Sequence, residues 1–179
     1  MKLRLIRSIA LLALASATGT ALAAGQLQGQ LNVQMVIGSG CTVTNGSDDG
    51  SSNTFGSILF GEYPSLNSIV EGRSIGAGGG GSFGLECSNG TNYNVALDSG
   101  QNLNGNQRRM QNAGEFIAYN LYQDAARTVL WDDGSNGGTV LPGTGSGNDE
   151  EIIVYGRVPA QVTPSPGTYL DTVQVTVSW

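Results

Sequence analysis

Apolar and polar residues alternate along one stretch near the start of this chain. Leu31, Val33, Met35 and Ile37 alternate with Gln30, Asn32, Gln34 and Val36, and Leu27 and Gly29 upstream keep the same phase. A period of two predicts a β-strand with one apolar face. Gly38-Ser39-Gly40 then breaks the pattern just before Cys41. The residues leave two readings open. The stretch is the first strand of a folded sandwich, or it is an arm on a Gly-Ser hinge that reaches another molecule.

The same period recurs downstream. Phe83, Leu85 and Cys87 share a face in 82–87, and Tyr93, Val95 and Leu97 share one in 92–98. Segments 116–122, 128–131 and 151–158 read as further strands. The clearest pattern is at the end, where Val173, Val175, Val177 and Trp179 alternate with Thr172, Gln174, Thr176 and Ser178 inside a predicted strand over 169–179. Asn-Gly at 45, 89, 104 and 136 favours tight turns with positive φ between such strands. Segments 46–52, 76–81 and 134–148 read as flexible loops. No segment behind the first 24 residues has a helical period. Many short strands punctuated by turns predict an all-β sandwich with one domain over 41–179.

The first 23 residues change the picture of where the chain works. Lys2, Arg4 and Arg7 precede a Leu- and Ala-rich run, and Ala21-Leu22-Ala23 has the form of a signal peptidase site. The run is shorter than the roughly 20 residues needed to span a bilayer. A signal peptide over 1–23 is therefore expected, with export to the periplasm and beyond. Its removal takes three of the eight basic residues and none of the fourteen acidic ones. Five against fourteen leaves a balance of −9, which argues against a nucleic-acid partner. Export also places Cys41 and Cys87 in an oxidising compartment, so they are expected to form a disulfide. The alternatives are a metal pair or a reactive thiol.

Candidate chemistry is sparse. The chain has no His, which removes the commonest general base and metal ligand. Gly76-Ala77-Gly78-Gly79-Gly80-Gly81 fits a dinucleotide-loop pattern, but a predicted strand follows where that motif needs a helix. Asp132-Asp133-Gly134 and Asn148-Asp149-Glu150-Glu151 offer oxygen ligands of the kind Ca²⁺ takes, without the spacing of an EF-hand loop. No catalytic constellation, cofactor, metal or small-molecule substrate is expected.

Four places together resemble the spore coat protein U domain family, which includes major subunits of archaic chaperone–usher pili. They are the alternating strand ending in Gly40-Cys41-Thr42-Val43; Phe55-Gly56-Ser57-Ile58-Leu59-Phe60-Gly61; Tyr119 to Thr128 followed by Trp131; and the terminal Gly167 to Trp179. The resemblance implies an incomplete immunoglobulin-like Greek-key sandwich that lacks its last strand, with an N-terminal donor-strand extension over 24–40. It implies partners as well: a periplasmic chaperone, an outer-membrane usher and neighbouring copies in a surface fibre. Leu31, Val33, Met35 and Ile37 would be the donor side chains. The strand carrying Val173, Val175, Val177 and Trp179 would border the acceptor groove. The expected function is a structural subunit of a pilus or coat fibre, supporting adhesion and biofilm formation. The competing reading is a secreted or tip-located adhesin. Two-domain adhesins carry a separate binding domain and often lack an arm, whereas this chain has one domain and an arm.

Overall fold

A computed structural model describes residues 28, 30–43, 55–75 and 83–179. The expected signal peptide and the loops at 46–52 and 76–81 lie outside the described residues. The chain divides into two units, 1–35 and 36–179. In the first, the described residues belong to no strand.

The second unit is built from strands, with no helix among the described residues. They are β1 (Cys41–Val43), β2 (Ser57–Ile58), β3 (Val70–Ile75), β4 (Phe83–Cys87), β5 (Asn92–Leu97), β6 (Arg108–Asn112), β7 (Glu115–Tyr122), β8 (Leu141–Thr144), β9 (Asp149–Ile152), β10 (Tyr155–Val158) and β11 (Val175–Ser178). They form three sheets, ordered β1-β4-β9, β2-β3-β10-β7-β6 and β11-β5-β8. All named pairings are antiparallel. The all-β class expected from the alternation holds.

Alternation explains the core directly. Phe83, Leu85 and Cys87 of β4 and Tyr93, Val95 and Leu97 of β5 point inward and are buried, as the period-two reading requires. Trp131 is fully buried; its Nε1 donates to the Val95 carbonyl at 2.9 Å and its backbone N–H to Leu121 at 2.9 Å. The indole is therefore packed and satisfied at once.

Several strand boundaries differ from the pattern. Segment 151–158 is two strands, because the chain changes sheets between them. The Val154 N–H donates to Ser74 Oγ at 3.0 Å, and the Ser74 N–H donates to the Val154 carbonyl at 2.7 Å. β9 then pairs with β4, and β10 with β3 and β7. Segment 128–131 makes only isolated bridges, Leu130 with Tyr122 and Trp131 with Thr139. A tight turn at Asp124 reverses the chain just before it. The Asp124 carboxylate accepts from the N–H and hydroxyl of Thr128 and from the N–H of Val129. These bonds, the one from Val129 first, hold its pKa below the usual value. The terminal strand is shorter than 169–179, although Leu170 still exchanges two backbone bonds with Gln111. β3 and β6 escaped the pattern because charged and polar residues occupy their outer positions. β8 escaped it inside a segment read as loop, where Gly143 and Pro142 mask a strand at a sheet edge.

Cys41 and Cys87 are directly opposed residues of β1 and β4, and they form the expected disulfide across 46 positions of sequence. Closing a loop of that length stabilises by about 4 kcal/mol in the chain-entropy model. Replacing both cysteines by Ser is expected to lower the periplasmic yield and the urea midpoint of the mature protein. An unchanged midpoint would show that the bond contributes little.

Candidate functional site

An apolar groove of about 960 Å³ opens in the second unit. One rim is the segment Phe55 to Phe60, which contains β2. The other is Tyr169 to Val175, which leads into β11. Phe83, Leu97, Met110, Tyr119, Leu121 and Val154 contribute to its lining. These come from β4 to β7 and from the crossover before β10, so the groove looks down on the buried core.

Both rims are sheet edges. Among the described residues β2 has one strand neighbour, β3, and β11 has one, β5. An edge of this kind offers backbone N–H and C=O groups to an incoming strand. The groove thus has a strand edge on each of two sides and the buried core beneath it.

The second rim is anchored by polar bonds. Tyr119 donates its hydroxyl to Asp171 at 2.6 Å, and Asp171 also accepts from the Gln101 N–H at 2.9 Å. Burial, and then the bond to Asp171, raise the pKa of Tyr119, so it stays a neutral donor. The N–H of Gln174 donates to Asp98, and its carbonyl accepts from the Asp98 N–H. At the start of the rim Glu115 accepts from the Ser165 N–H and the Tyr169 hydroxyl. The bonds from Ser165, and then that from Tyr169, pull its pKa down. The rim is therefore fixed before anything enters.

The sequence-expected residues fall as follows. Leu31, Val33, Met35 and Ile37 are between 82 and 88 % exposed, and Val36 between them is 81 % exposed. Such exposure of five neighbouring apolar side chains is unusual for a soluble surface. Gly38-Ser39-Gly40 is tethered at both ends, because the Ser88 hydroxyl donates to the Gly38 carbonyl and the Ser88 N–H to the Gly40 carbonyl, both at 2.9 Å. Val173 and Val175 line the groove. Val177 pairs with Val95 and packs on the core, while Trp179 is 63 % exposed, with its indole near Gly40.

Residues Phe55 to Phe60 were singled out in the sequence without a role, and they form the opposite rim. Their signal was present as apolar residues in a short Gly-bounded run, but two-residue β2 is too short to read as a strand. The acidic clusters engage their own surroundings. Asp132 is buried and accepts from the N–H groups of Gly134, Asn136 and Gly138, and Glu150 accepts from the Tyr93 hydroxyl. Among the described residues no group of three or more His, Cys, Asp or Glu side chains is placed to hold a metal ion.

Comparisons with known proteins bear on the family of this chain. The chain is 30 % identical over 159 residues to Protein U of Myxococcus xanthus, covering 83 % of each chain. A solved structure, the CsuC–CsuE chaperone–tip adhesion subunit pre-assembly complex from archaic chaperone-usher Csu pili of Acinetobacter baumannii, is similar at 22 % identity and a TM-score of 0.44. That likeness covers 80 % of this chain and 40 % of the solved one. The Spore Coat Protein U domain matches residues 27–176. With a match over nearly the whole length behind the first 26 residues, the chain belongs to the spore coat protein U domain family.

Proposed function

We propose that this chain is an exported structural subunit of a surface fibre that polymerises by donor-strand exchange. In this reading residues 31–37 of one copy enter the groove of the next. Leu31, Val33, Met35 and Ile37 face its floor, and their backbone pairs with the rim at Tyr169 to Val175. A periplasmic chaperone lends a strand to the groove in transit, an outer-membrane usher is the place of exchange, and the fibre supports adhesion and biofilm formation.

One observation carries the reading: a single chain bears both a fully exposed alternating apolar segment and an open apolar groove with two unpaired edges. Each feature alone is an aggregation hazard. Strand addition removes both, because backbone bonds complete the edges and alternate side chains fill the floor. Family membership supports the same reading. The test is deletion of residues 24–37 behind an intact signal peptide. The variant is expected to be exported and to co-purify with the chaperone, yet to form no homopolymer. Normal fibres from it would end the donor-strand reading.

A further inference from the structure

The rim Phe55 to Phe60 rests on an unusual seat. On the inner face of the five-stranded sheet, Gly72 of β3 lies directly opposite Gly156 of β10, and Gly156 lies opposite Leu121 of β7. Neighbouring inward positions carry larger side chains, including Val70, Val154 and Val158. The glycine pair therefore leaves a local hollow, and Phe60 and Ile58 occupy it. A Cβ at Gly156 would stand 2.7 Å from Phe60 Cζ and 3.3 Å from Ile58 Cγ2. One at Gly72 would stand 3.2 Å from Phe60 Cδ1 and 3.1 Å from Ile58 Cγ2. Both side chains also line the groove.

The backbone of the same pair is held by one arginine. Arg127 donates Nε–H to the Gly156 carbonyl at 3.0 Å and Nη2–H to the Gly72 carbonyl at 3.1 Å. Its Nη1 lies 3.0 Å from Glu71 Oε2, and its guanidinium sits 5.8 Å from the Tyr155 ring centre. Arg127 reaches this place from a left-handed backbone conformation, φ 56°, fixed by the Asp124 turn. A planar fork meets the two carbonyls and Glu71 with three separate nitrogens in fixed geometry, which the single nitrogen of a Lys does not reproduce. The Asp124 to Arg127 turn thus has a role at the groove although it does not line it.

We infer that the Gly72–Gly156 seat sets the width of the groove, and that Phe60 is the residue that determines which side chains the groove admits. Arg127 is a positioning residue that fixes the seat. The inference rests on the donor-strand reading above. A side chain at either glycine pushes Phe60 off the sheet, and the open direction is into the groove. The floor is then obstructed where an incoming apolar side chain must settle.

The test uses the mature full-length chain and a fluorescent synthetic peptide of residues 27–37, with affinity measured by anisotropy. Overpacking of this size is expected to weaken peptide binding by Gly156→Ala about tenfold to a hundredfold. Adding Phe60→Leu to Gly156→Ala is expected to restore affinity to within about threefold, which a merely destabilised protein would not do. Phe60→Trp, with both glycines intact, is expected to weaken binding as well, and it decides the matter should Gly156→Ala fail to fold. A folded Gly156→Ala that binds like the natural chain overturns the inference, as does weakening that Phe60→Leu leaves untouched, or unchanged binding by Phe60→Trp. Failure of the natural chain to bind the peptide would instead overturn the donor-strand reading, and the inference with it.

Discussion

Val33→Asp and Met35→Asp are each expected to abolish fibre assembly while leaving export and chaperone binding intact. Both side chains lie 87 to 88 % exposed on the subunit, so a carboxylate there costs the isolated subunit nothing. In a neighbour's groove the same carboxylate would sit against Phe83, Leu97, Met110 or Leu121 with no cation to meet it. The chain offers few: Arg108 is already committed to backbone carbonyls and Arg127 to Glu71. Placing an unpaired charge in such a site costs several kcal/mol, on top of about 1.5 to 3 kcal/mol of apolar burial forgone. At about 1.4 kcal/mol per tenfold, the combined loss is three or more orders of magnitude in exchange equilibrium. Gln34→Asp, one position away on the opposite face, is the control and should assemble. Wild-type polymer from both apolar-to-Asp variants, scored by electron microscopy of the cell surface, would count against the account.

The second large effect is expected at Arg108→Met, which should destabilise the subunit by about 3 to 5 kcal/mol. Arg108 is 4 % exposed and bonds three carbonyls: Asp98 through Nε at 2.9 Å and Nη2 at 2.6 Å, Leu97 through Nη2 at 3.1 Å, and Trp131 through Nη1 at 2.9 Å. Burial lowers its pKa, while Tyr119, Asp132 and Asp98 oppose that shift. A guanidinium remains charged even so. Methionine would fill the volume but leave the carbonyls unsatisfied and Asp132, 1 % exposed, without its nearby cation. Those carbonyls close β5 beside the groove, so the loss should also loosen the rim at Asp98 and Gln174. Arg109→Met is the comparison on the same strand. Arg109 is half-buried and lies 4.0 Å over the Phe116 ring, a contact worth about 0.5 to 1 kcal/mol. Urea unfolding of the mature, oxidised protein separates the two, and equal midpoints would refute the clamp.

What was legible in the sequence follows from what alternation encodes. It encodes which face of a strand is wet, so β4, β5 and β7 were readable, whereas Leu31 to Ile37, expected as a strand, belongs to none. It does not encode which sheet a strand joins. The break of 151–158 into β9 and β10 depends on one Ser74 side chain capping Val154, a contact across 80 residues. β3 was hidden because Glu71 and Arg73 occupy its outer face and Gly72 its inner one, so no apolar alternation remained. The first rim was hidden for a related reason: Phe60 is placed by the absence of side chains at Gly72 and Gly156, which no local pattern records. Val173 and Val175 line the groove. Trp179 instead lies near Gly40, because the last residues of β11 run along β5 toward Asn94 and away from the opening.

The proposed donor strand poses one question above the others, namely whose groove it would fill. The direct measurement replaces Met35 by a photo-reactive methionine in a Met110→Leu background, so that the mature chain carries the label once. Fibres are assembled from equal parts of subunits of natural isotopic composition and ¹⁵N-labelled subunits, irradiated, and read by mass spectrometry of the linked peptides. The account predicts mixed-isotope links from residue 35 to the rims Tyr169–Val175 or Phe55–Phe60. Links confined to a single isotopic composition, or links to other surfaces, would contradict it.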